Sequence, residues 1–114
     1  MRTYSTQQGN TAQLKDSANL KGIVPASVDP IIEAAAPVYE RFGKDLVITS
    51  GTDGQHMQGS LHYVGKALDL RASEAWGYSD RVRGQIAGHL RRELGPNYDI
   101  VIEPTHIHAE HDPS

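Results

Sequence analysis

The chain has 114 residues, suited to one compact domain, with 38% hydrophobic residues and a net charge of −3 with its histidines neutral. That balance argues against a non-specific nucleic-acid binder, which carries a basic patch. The absence of cysteine excludes a disulfide framework and any thiolate metal site. No run approaches the roughly 18 apolar residues of a membrane span, and the polar start "MRTYSTQQGNTAQ" lacks the apolar centre of a secretory signal.

Residues 1–22 are rich in Ser, Thr, Gln, Asn and Lys without clear periodicity, and read as an N-terminal arm or tail before a domain over 23–114. In "SVDPIIEAAAPVYERFG", Asp29 is placed to cap a helix and Pro30 to occupy its first turn. Ile31, Ala35, Val38 and Phe42 form one apolar stripe, Pro37 should kink or split the helix, and Gly43 is a stop signal. "DLVITS" reads as a strand, "GTDGQHMQGS" as a polar loop, and the chain around His62 as a short extended piece turned at Gly65 into a strand "KALDLR". Ser79 opens a second helix with Val82, Ile86, Leu90 and Leu94 on one face, and "GPN" ends it. "YDIVIE" is a strand, Pro104 interrupts, and "HIHAE" resumes extended. This order of elements predicts an α+β domain: a small, mostly antiparallel sheet with two main helices.

Alternation along "KALDL" puts Ala67 and Asp69 on one face and Lys66, Leu68 and Leu70 on the other. An aspartate between two leucines is expected to be at least partly buried, and a buried carboxylate needs partners or a metal. His62 lies seven residues earlier, and a bend at Gly65 can return it toward Asp69. In "HIHAE", His106 and His108 share a face. The four side chains offer three nitrogens and one carboxylate, the donors zinc takes; a catalytic zinc keeps three protein ligands, which leaves one of the four free to handle protons.

"SLHYVGKALD" and "HIH" together fit S-x-H-x-x-G-x-A-x-D followed by H-x-H. In this the chain resembles the zinc D-Ala-D-Ala peptidase family, peptidoglycan carboxypeptidases and endopeptidases whose fold is shared with the Hedgehog signalling domain. The likeness runs from about Leu46 to Glu110. It implies Zn2+ held by His62, Asp69 and His108. It places His106 beside the metal as a stabiliser of the transition state, and Ser60 where relatives bind substrate; His56 lies in the similar loop and reads as groove-lining. The implied activity is hydrolysis of amide bonds in peptidoglycan stem peptides by a monomer that binds neither nucleic acid nor membrane. It would be made in the cytoplasm and act on the cell wall, as a phage lysis or virion enzyme or after export by another route. The alternative is a zinc-containing binding module of Hedgehog-like fold without catalysis.

Two departures stand out. Where many carboxypeptidase members carry arginine in "SGYR", this chain has "SGTD", Ser50 to Asp53. Where many carry an acid three residues before the last ligand, it has Thr105, so Glu103 becomes the candidate base. The other histidines, His89 and His111, read as solvated, the arginines Arg81, Arg83, Arg91 and Arg92 as a solvated helix face, and Tyr63, Trp76 and Tyr78 as packing residues of a small core.

Overall fold

A computed structural model describes residues 2–53 and 64–113. The elements over these residues are β1 (Thr3–Ser5), β2 (Thr11–Leu14), α1 (Pro25–Arg41), β3 (Val47–Ser50), β4 (Ala67–Arg71), a short 3-10 turn (Glu74–Trp76), α2 (Asp80–Leu94), β5 (Tyr98–Ile102) and β6 (His106–His111). The six strands form one sheet in the order β1-β2-β3-β4-β6-β5. Among the described residues only the β2–β3 pairing is parallel. The domain is therefore α+β, as the order of elements predicts.

The helices lie on one face of the sheet because period-2 strands and period-3.6 helices turn their apolar residues toward each other. Leu68 and Leu70 stand opposite Ala109 and Ile107 in register, and all four are fully buried. They pack with Ile48, Ile31, Ile32, Ala35, Val38, Ile86, Ala87 and Leu90 in one core. Ser79 caps α2 by accepting from the Val82 amide at 3.2 Å. Among the described residues no helix is long and apolar enough to cross a membrane.

Three expectations change. Residues 1–22 are not a loose arm: β1 and β2 form a hairpin whose inner strand pairs with β3, and Ala12, Leu14 and Ala18 are buried. The polar composition misleads because the strands are so short: β2 turns only Ala12 and Leu14 inward, and β1 only the half-buried Tyr4. Second, α1 begins at Pro25, a turn earlier than Asp29 suggested, and Val24 is its N-cap without a side-chain cap bond. Asp29 instead accepts a hydrogen bond from the Tyr4 hydroxyl, pinning β1 to the helix. Third, α1 runs unbroken through Pro30 and Pro37. Pro37 sits on the exposed side, where water can meet the carbonyl that loses its amide partner.

The remaining solvated readings also shift. His89 Nε2 lies 3.1 Å from the Ala34 carbonyl, linking α2 to α1. His111 is on β6, its Nδ1 2.8 Å from Ser27 Oγ and its ring stacked on Tyr98 at 4.7 Å. Arg83 donates to the Pro104 carbonyl at 3.0 Å and Arg91 to the Ile100 carbonyl at 2.8 Å, so two of the four arginines tie α2 to the β5–β6 turn and to β5. Tyr78 is core, but Trp76 is exposed and stacks under the Arg71 guanidinium, 4.0 Å from its ring centre.

Gly65 shows how tightly the entrance to β4 is held. Its φ is +77°, and an added Cβ would stand 2.3 Å from the Gly22 carbonyl oxygen and 2.7 Å from Ile23 Cα. Its own carbonyl accepts from the Val24 amide at 2.8 Å and so caps the start of α1. Gly65→Ala is expected to lower stability by at least about 1–3 kcal/mol, the usual cost of one strained backbone conformation, read as a lower urea midpoint by circular dichroism.

Candidate metal and proton-transfer site

The helix-free face of the sheet carries the polar residues. β4 and β6 pair antiparallel with Asp69 opposite His108, Arg71 opposite His106 and Ala67 opposite Glu110. Since alternate residues share a face, Asp69, His106, His108 and Glu110 all stand on the side away from the helices. A register irregularity between Ile48 and Ser50 on β3 adds to this. Ile48 opposes Leu70 on the core side, yet Ser50 opposes Asp69, so the bulge returns Ser50 to the open side next to the carboxylate.

Asp69 is 5% exposed. Its Oδ1 is 3.0 Å from His108 Nδ1, and its Oδ2 is 3.4 Å from His106 Nε2. His106 Nε2 also faces Glu103 Oε1 at 3.5 Å, while its Nδ1 lies 3.1 Å from Thr105 Oγ1. The expected alternation thus brings together Asp69, His106 and His108, and the turn at Pro104 brings Glu103 to the same cluster. Arg83 braces that turn through the Pro104 carbonyl. His62, His56 and Ser60 lie outside the described residues, so the third expected metal ligand and both substrate-binding candidates are not placed.

The donors present suit a metal. Two ligands on a tetrahedral ion with bonds of about 2.0–2.2 Å stand about 3.3–3.6 Å apart, a separation that a small opening of the 3.0 Å between Asp69 Oδ1 and His108 Nδ1 would reach. A carboxylate buried to this degree beside two imidazoles is also the arrangement expected where a cation or a shared proton offsets the cost of desolvation.

One residue was missed by sequence reasoning. Glu110 Oε1 lies 2.6 Å from His108 Nε2, so the imidazole stands between two carboxylates. The signal was available: Glu110 lies two residues after His108, on the same face of the strand. Glu110 also belongs with Asp99 and Asp112 to a group of acids whose ligand atoms all lie within 4.8 Å of one another, a group able to hold a metal ion. The aspartate of "SGTD" has a structural task. Asp53 Oδ1 accepts from the Asn19 amide at 2.7 Å and the Gly51 amide at 2.8 Å, closing the turn after β3 onto the N-terminal segment.

Burial lowers the pKa of His108, but hydrogen bonds to Asp69 and Glu110, together with their charges, outweigh it and push it up to about 9. A raised histidine pKa contributes stability that is fully present below the unfolded value of about 6.5 and is lost as pH rises through the folded value. Metal-free protein is therefore expected to lose stability, by up to a few kcal/mol at about 1.4 kcal/mol per pKa unit, between about pH 6.5 and 9. Urea midpoints measured across that range check it, and a His108→Gln variant should show a flatter profile.

With the geometry described, comparison with known proteins adds one finding. A stretch of 69 residues, 59% of this chain, is 35% identical to the Sonic hedgehog protein of Xenopus laevis. The chain spans about 15% of the length of that relative. No protein-family model matches the chain.

Proposed function

We propose that the chain is a zinc-dependent peptidase hydrolysing amide bonds in peptidoglycan stem peptides, resembling the zinc D-Ala-D-Ala peptidases. The observation that carries this reading is the convergence of Asp69, His108, His106 and Glu103 on the helix-free face of the sheet. Asp69 and His108 would hold the ion with His62. Bound zinc supplies a Lewis acid that polarises the scissile carbonyl and lowers the pKa of water toward neutrality. Glu103, part exposed at the start of the β5–β6 turn, takes the proton of the attacking water and delivers it to the leaving amine. His106 donates from Nε2 to the oxygen on which negative charge develops, and Thr105 Oγ1 at its other nitrogen fixes the ring. Asp69 Oδ2 keeps the His106 ring turned into the site.

With the arginine of "SGYR" replaced and Asp53 committed to its turn, the expectation tilts from a carboxypeptidase toward an endopeptidase. The similarity to a Hedgehog protein favours a second reading, a zinc-containing module that binds a partner without cleaving it.

The two readings part on one experiment. Zinc-loaded protein incubated with purified peptidoglycan is expected to release new amino termini, with mass spectrometry of the muropeptides naming the bond. Glu103→Ala should lower the rate at least about 100-fold, the lower end of a general base's contribution, while zinc uptake stays at the wild-type level. Zinc uptake without release by the wild-type protein selects the binding module.

A further inference from the structure

We propose that Glu110 is the positioning residue of His108: it accepts the Nε2 proton and so presents Nδ1 to Asp69 and to the ion. The assignment rests on the reading of Asp69 and His108 as metal ligands. Its observations are geometric. The imidazole is engaged at both ends, Nδ1 by Asp69 at 3.0 Å and Nε2 by Glu110 at 2.6 Å. A ring nitrogen that carries a proton cannot bind a metal, so the side on which Glu110 stands decides which nitrogen is left for the ion.

The backbone makes the arrangement stiff. Glu110 and His108 project from the same face of one strand, and that strand is paired on both sides, to β4 and to β5. Across from Glu110, β4 offers Ala67, which has no polar group to compete for the carboxylate. On β5 the residue opposite is Asp99, and Asp112 follows the end of β6; both carboxylates approach Glu110. Asp99 and Asp112 are exposed, whereas Glu110 is part buried beside His108. The group is thus graded, from an imidazole 12% exposed to a carboxylate 23% exposed to acids in solvent. Glu103 takes no part in this: its contact is with His106.

The test is the zinc dissociation constant of the full chain, measured by competition with a chromophoric chelator. Glu110→Ala is expected to weaken zinc binding about 10–100-fold, the usual loss when the partner of a ligating histidine is removed. Glu110→Gln, which keeps an acceptor oxygen, should recover part of that loss. The double variant Asp99→Asn, Asp112→Asn should lose clearly less than Glu110→Ala, since the carboxylate at His108 Nε2 is that of Glu110. A long-range proton–nitrogen spectrum of zinc-loaded wild type should show the His108 proton on Nε2, and Glu110→Ala should shift that resonance. Circular dichroism confirms folding, and if the alanine variant does not fold, the glutamine variant carries the comparison.

Wild-type affinity in both Glu110 variants, with zinc still lost in Asp69→Ala, overturns the role of Glu110 alone. Equal weakening by the Asp99, Asp112 pair also overturns it, because the acids themselves would then be holding the ion. No zinc uptake by the wild-type protein overturns the metal reading and this assignment together.

Discussion

The register of β6 against β4 is the constraint on which the rest depends. With Asp69 opposite His108, the strand pair sorts its residues into two populations. Leu68, Leu70, Ile107 and Ala109 go to the helices; Asp69, His106, His108 and Glu110 go to the other side. A slip of one residue would put three ionisable side chains into the apolar core and Ile107 and Ala109 outside. The hydrophobic effect on one face therefore fixes the polar geometry on the other. At about 25 cal/mol per Å² of apolar surface, each fully buried branched side chain on the core face contributes about 1.5–3 kcal/mol toward holding this register.

That division of labour explains why a buried carboxylate is tolerated in a small domain. Asp69 gains neighbours from the strand that pairs with it, and His108 in turn is held by Glu110 from the same strand. The polar groups form a chain, Glu110 to His108 to Asp69 to His106 to Glu103, in which each link is within 3.5 Å of the next. Removing a middle member takes one polar contact from each of its two neighbours, and the loss at a desolvated group costs more than the contact itself contributes.

Much of this was legible in the sequence where one signal ruled. Period-2 alternation placed Asp69, His106 and His108 correctly because β4 and β6 are central strands with one dry face. The second helix was legible because Ser79 and the glycine at its end punctuate a clear stripe. The first helix was misjudged at its start because Asp29, a good cap by chemistry, is used by Tyr4 instead, and the backbone of Gly65 satisfies Val24 from a distance of some forty residues in sequence. The N-terminal hairpin was missed because its strands are three and four residues long, too short for alternation to register against a polar background. Glu110 was overlooked because a carboxylate near a chain end reads as solvated until the strand it occupies is known to be paired on both sides.

The parallel pairing of β2 with β3 has one more consequence. The N-terminal hairpin covers the flank of β3, whose other side pairs with β4, the strand that carries Asp69. Without residues 3–14, β3 would present a row of unsatisfied amides and carbonyls beside Val47 and Ile48, a template for strand addition by another chain. The hairpin thus acts as a selvedge on the sheet: a segment that contributes no group to the polar cluster closes the flank of β3 against another chain.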